Sequence, residues 1–216
     1  MSETDTNRVY LAPSEYVDSN HPLVLRTARA LAGGAMDTAE ILRRIFYRVR
    51  DIRYDAPEFD RLDSFKASDL LAEGRGYCVP KAAAFAALAR AAGVPARLGF
   101  ADVTNHLATG KTLERMGGLV FAWHGYAEVW TGERWLKVSP TFDAPLCEKM
   151  CVARLEFDGR SDAHLQPFDS TGRSFMSYDK LHGTFHDVPA RFLAAEMVRL
   201  YPRACAAIRA GEFARL

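Results

Sequence analysis

The chain has 216 residues, 49% of them apolar by type and 25% charged, which is the size and composition of one large globular domain with a real core. Its 28 basic and 27 acidic side chains leave a formal charge of +1 and give no electrostatic reason to expect nucleic acid or an anionic membrane as a partner. No run approaches the ~18 apolar residues of a membrane helix, and Met1 to Arg8 is polar and unlike a secretion signal, so a cytoplasmic location is expected.

Residues 1–12 read as a flexible tail and 13–216 as a single domain. The first helix is predicted over Pro22 to Leu31, with proline early and Gly33-Gly34 as the stop. A second, capped by Asp37 or Thr38, runs to Arg50 with Ile41, Leu42, Ile45, Phe46 and Val49 at helical spacing. Ile52 to Tyr54 is extended. Ser68 to Ala72 makes about one helical turn, with Ser68 as a possible cap. After the glycine-punctuated stretch Gly74-Arg75-Gly76-Tyr77-Cys78, Val79 to Ala92 is apolar nearly all round, so it is predicted as a buried helix that Gly93 ends.

Arg97 to Val103 reads as a strand and Asn105 to Gly118 as a polar loop. Phe121 to Trp130 and Glu133 to Val138 read as a hairpin turning at Thr131-Gly132. Leu155 to Phe157 and Ser174 to Tyr178 are candidates for further strands. Ala190 to Arg215 is helical, with a break at Pro202. Helices at both ends and strands between them predict an α+β domain with an antiparallel sheet.

Four cysteines, Cys78, Cys147, Cys151 and Cys205, do not make a disulfide scaffold in a chain of this length. Cys147 and Cys151 share a helical face and read as core packing rather than a metal pair. Cys78 differs from the other three. It opens the buried helix, where unpaired N–H groups and the helix dipole favour a thiolate and supply donors for an oxyanion. Small Gly74 and Gly76 leave room beside it. The strand Trp123-His124-Gly125-Tyr126-Ala127-Glu128-Val129-Trp130 brings a histidine from elsewhere in the fold. A third group that orients the imidazole is to be sought at the end of the next strand, which offers Ser139 and Asp143.

Gly76-Tyr77-Cys78, followed by Ala82, Leu88, Ala89 and Gly93-Val94-Pro95-Ala96-Arg97, resembles the core motif of transglutaminase-like domains. The His124 to Trp130 strand and the Gly132 to Val138 hairpin continue the match, which covers about residues 50–145. Asp102 to Leu107, Leu165 to Asp169, His182-Gly183-Thr184 and Asp187-Val188-Pro189 are similar to a bacterial, cysteine protease-like subgroup of that superfamily. The resemblance implies a papain-like arrangement: a cysteine helix packed on an antiparallel β-sheet that carries the histidine, with flanking N- and C-terminal helices. It implies Cys78 as nucleophile, His124 as general base and acid, and amide hydrolysis or transamidation as the chemistry. Where the family has Asp-Pro-Thr, this chain has Ser139-Pro140-Thr141. Either Asp143 curls back as third member, or Ser139 serves, or the site is a weaker dyad or a retired one.

Tyr77 is expected at the pocket rim, and Asn105 to line the cleft or cap its loop, as Asp102 does; Tyr77 and Asn105 are the candidate substrate-binding residues. Arg97 reads as an ion-pair partner. Gly183 and Thr184 interrupt the His182 and His186 pair, so no metal is expected, and no cofactor motif is present. The leading reading is a cofactor-free cysteine hydrolase or acyltransferase acting on a peptide or small amide. The alternative is a retired domain that binds a peptide or protein. A third reading is acyl transfer to an arylamine.

Overall fold

The computed structural model describes residues 7–55, 61–108 and 110–211. The start of the expected tail and the expected helical residues 212–215 lie outside them. α1 (Pro22–Ala32) begins on a proline, and the His21 side chain accepts from Leu23 N–H. α2 (Thr38–Arg50) is capped by Asp37, which accepts from the Glu40 N–H at 2.8 Å. β1 (Arg53–Tyr54), α3 (Ala67–Glu73) and β2 (Arg75–Gly76) follow, with β1 and β2 paired in parallel. α4 (Cys78–Ala91) is buried at every position from Val79 to Arg90. Its alanines present almost no side-chain bulk, so α1, α2 and α3 pack closely around it.

The chain continues through β3 (Ala96–Asn105), α5 (Lys111–Met116), β4 (Val120–Trp130), β5 (Trp135–Val138), α6 (Ala144–Met150), β6 (Met176–Phe185), α7 (Ala190–Leu200) and α8 (Pro202–Arg209). The four long strands form one antiparallel sheet in the order β5-β4-β3-β6. α4 lies against β3 and β4, where Phe100, Ala127 and Val129 face it in the main core. The far face of the sheet carries Tyr126, whose ring lies over Gly99. A Cβ on Gly99 would come within 2.1 Å of that ring.

The expected α+β architecture is therefore the observed one, with local differences. Lys111–Met116 in the expected polar loop is helical. Residues 155–157 are irregular, and the strand expected at 174–178 runs from Met176 to Phe185. Ser68 does not cap α3; its N–H donates instead to Asp18 Oδ1 at 3.1 Å. Tyr10 belongs to the folded body rather than to a tail. Its carbonyl accepts from Ala96 N–H, and its ring meets Trp135 edge-on at 5.3 Å. Cys147 is buried, whereas Cys151 is exposed at the left-handed end of α6.

Candidate active site

Cys78 is the first residue of α4, preceded by extended Tyr77. Two glycines let it sit there. A Cβ on Gly76 would lie 2.3 Å from Leu70 Cδ1, and one on Gly125 would lie 3.0 Å from Val79 Cα. The start of α4 thus rests directly on the backbone of β4. The N–H groups of Gly125, Val79 and Cys78 itself act on the thiol and pull its pKa down. β5 flanks β4 only over Ala127 to Trp130, which leaves that edge of β4 open at Gly125. His124 is the residue immediately before Gly125; its ring meets that of Tyr178, and among the described residues no hydrogen bond joins it to Cys78.

Burial decides the charges here. It pushes the Cys78 thiol up to about 11, against the backbone N–H groups and the Lys81 charge that pull it down. It pushes His124 down to about 3, with the nearby His164 acting in the same direction. The resting pair is therefore neutral thiol and neutral imidazole. The helix terminus alone predicts a thiolate, but loss of hydration outweighs it.

The third position also differs from expectation. Both oxygens of Asp143 are engaged by backbone: Tyr54 N–H at 2.8 Å and Leu146 N–H at 3.0 Å. Asp143 is the N-cap of α6 and a tether for β1, and no hydrogen bond joins it to His124 among the described residues. Ser139 is fully buried at the end of β5, and its Oγ lies 3.2 Å from the Tyr178 hydroxyl. The Tyr178 ring meets the His124 ring edge-on at 6.1 Å and the His164 ring at 5.2 Å. Nε2 of His124 is buried without a hydrogen-bond partner among the described residues.

Tyr77 is buried against Phe65, edge to face at 6.3 Å, rather than standing at a rim. Asn105 Oδ1 accepts from Leu107 N–H at 3.0 Å and so closes the turn after β3. Arg97 pairs with Glu128 at 2.7 Å, as expected.

Three features escape a reading of the sequence. Lys81 is fully buried, and its ammonium donates to the carbonyls of Arg50, Ile52 and Thr141 at 2.9, 2.7 and 2.8 Å. It ties the end of α2, the approach to β1 and the Ser139 segment to the helix that carries Cys78. Burial pushes its pKa down to about 7, opposed by Asp143, and one carbonyl per N–H favours the charged form. Its signal is a lone charge three residues into an apolar run. Tyr178 and the Asp102–His182 pair (2.7 Å) depend on the distant strand β6, and no short-range pattern points to them.

The family profile described as transglutaminase-like superfamily matches residues 26–140. A solved structure described as a proposed cysteine protease from Cytophaga hutchinsonii superposes with a TM-score of 0.51 at 17% identity, covering 86% of this chain and 56% of that one. The periplasmic domain of TgpA from Pseudomonas aeruginosa gives a TM-score of 0.47 at 22% identity, covering 64% of this chain and 48% of that one. The chain thus spans about half the length of these structures. No curated protein matches it at a significant level. Among the described residues no helix is long and apolar enough to cross a membrane.

Proposed function

From the premise that the chain belongs to the transglutaminase-like superfamily, we propose that it catalyses cysteine-dependent acyl transfer on a peptide or small amide, with Cys78 as nucleophile and His124 as base. The observation that carries this reading is the place of Cys78 at the start of a buried helix whose first turn packs on Gly125, the residue next to His124. As the S–C bond forms, the thiol proton passes to the neutral imidazole, because neither group is charged beforehand. The backbone N–H groups at the start of α4 face the oxyanion. Imidazolium then protonates the leaving amine as the C–N bond breaks. Water or an amine attacks the thioester, His124 takes its proton, and the thiol is restored.

Ser139, rather than Asp143, stands at the third position in this proposal, and it reaches His124 only through Tyr178: its Oγ lies 3.2 Å from the Tyr178 hydroxyl, whose ring meets His124, while Asp143 is committed to backbone. With no carboxylate on the imidazole to stabilise its charge, the proposed enzyme is a slow one. The raised thiol and the missing carboxylate favour a second reading, a retired site that only binds a peptide.

Single-turnover acylation by p-nitrophenyl acetate, read by intact mass and peptide mapping, separates the two. Acylation at Cys78 that His124→Ala slows, followed by release to water or methylamine, supports the enzyme. An unacylated Cys78, or one acylated as fast in His124→Ala, leaves the binding module.

A further inference from the structure

β3 is the central strand beside the site, and both of its neighbours bulge against it at the same place. On one side Val103 pairs with Phe121 and Ala101 with His124, so Ala122 and Trp123 together oppose Asp102. On the other, Phe100 pairs with Gly183 and Ala101 with Leu181, so His182 is one extra residue of β6, and Asp102 pairs with Lys180 and Val103 with Tyr178, so Asp179 is another. Trp123 and His182 meet across Asp102. Their rings stack at 3.9 Å and 11°, and Asp102 Oδ1 accepts from Trp123 N–H at 3.1 Å and lies 2.7 Å from His182 Nε2. Trp123 has φ +59, a left-handed conformation that costs a bulky L-residue on the order of 1–3 kcal/mol and persists only when its surroundings impose it.

The bulge decides where His124 goes. Without it, the register that pairs Phe121 with Val103 would pair His124 with Phe100. The imidazole would then occupy the place of Gly125, where even a methyl group meets Val79. We propose that Asp102 is a positioning residue for His124: it holds Trp123 left-handed, and so sets the bulge that aims the imidazole, while His182 fixes Asp102. The inference rests on the reading of His124 as the base.

A double-mutant cycle on single-turnover acylation of Cys78 by p-nitrophenyl acetate tests it, using the parent, Asp102→Ala, His124→Ala and the double variant. Asp102→Ala should slow acylation on the order of 100-fold in the parent background, the cost of a misplaced base, and add no loss in the His124→Ala background. Asp102→Asn, which keeps an oxygen for the Trp123 N–H, should recover most of that loss. An equal loss in both backgrounds, no loss at all, or no rescue by asparagine would overturn the proposal. If Asp102→Ala does not fold, Asp102→Ala/Trp123→Gly carries the same cycle, since glycine takes positive φ without a carboxylate to hold it. That double variant must then acylate at least tenfold faster with His124 than without it, or the proposal fails. A His124→Ala protein as fast as the parent would sink the base reading and this inference together. A slow His124→Ala beside an unaffected Asp102→Ala would sink this inference alone.

Discussion

Gly125→Ala tests the close approach on which the site is built. The added methyl would lie 3.0 Å from Val79 Cα, 3.2 Å from Val79 Cγ2 and 3.5 Å from Phe100 Cε1. Carbon atoms pack best at about 3.5–4.0 Å, so the first turn of α4 must retreat by roughly 0.5 Å. No rotamer change relieves the clash, because the nearest atom is backbone. Overpacking of this kind costs about 1–3 kcal/mol. Loss of glycine's freedom in the unfolded chain returns about 0.4–1 kcal/mol. The net loss of about 0.5–2 kcal/mol lowers Tm by about 1–8 °C for a domain of this size. The retreat also draws Cys78 away from Gly125, and acylation should slow about 10- to 100-fold. Calorimetry and single-turnover acylation measure the two effects. A variant that melts at or above the parent temperature and acylates at the parent rate would refute the argument.

Asp143→Ala removes the cap of α6 and strands the Tyr54 N–H, for a loss of about 2–4 kcal/mol by denaturant titration. Acylation that still depends on His124 is expected, and its abolition at unchanged stability would make Asp143 the third member after all. His124 sets a pH dependence: its folded pKa of about 3 lies below the unfolded 6.5, so the unfolded chain binds the extra proton between them. Stability should fall as pH drops from 6.5 towards 3, by up to about 5 kcal/mol at 1.4 kcal/mol per unit, and His124→Gln should flatten that slope in melts across the range. Lys81→Met leaves three buried carbonyls without a donor, offset by the recovered cost of burying a charge, and a net loss of about 3 kcal/mol is expected on unfolding in urea. A Lys81→Met protein as stable as the parent would show that the ammonium does not hold the three segments together.

The helix that carries Cys78 and the strand that carries His124 are legible in the chain because each announces itself locally. The first is a long apolar run between glycines, and the second an alternating aromatic strand beside a turn. β6 is harder to read. It lies at the sheet edge, and Ser177, Asp179 and Lys180 dilute its alternation, so its length follows from pairing with β3 and not from its own composition. The register shifts around Asp102, one on β4 and two on β6, erase the period-two signal on both flanking strands. The protonation of Cys78 and His124 is likewise a tertiary property. A helix terminus is visible in sequence, but the packing that crowds the part-exposed thiol and raises its pKa is contributed by segments far along the chain. Asp143 misleads for a related reason: a carboxylate four residues past a strand serves a triad and a helix cap equally well, and only the engagement of both its oxygens distinguishes them.

A cysteine held as a neutral thiol is also protected from oxidation. Peroxide attacks thiolates, and the raised pKa of Cys78 leaves its sulfur little of that character at neutral pH. Exposed Cys151, at the end of α6, is the cysteine that an oxidant reaches first. On the proposed reading the site would trade speed for durability: it would forgo the ready anion of a fast cysteine enzyme and keep its sulfur reduced between turnovers.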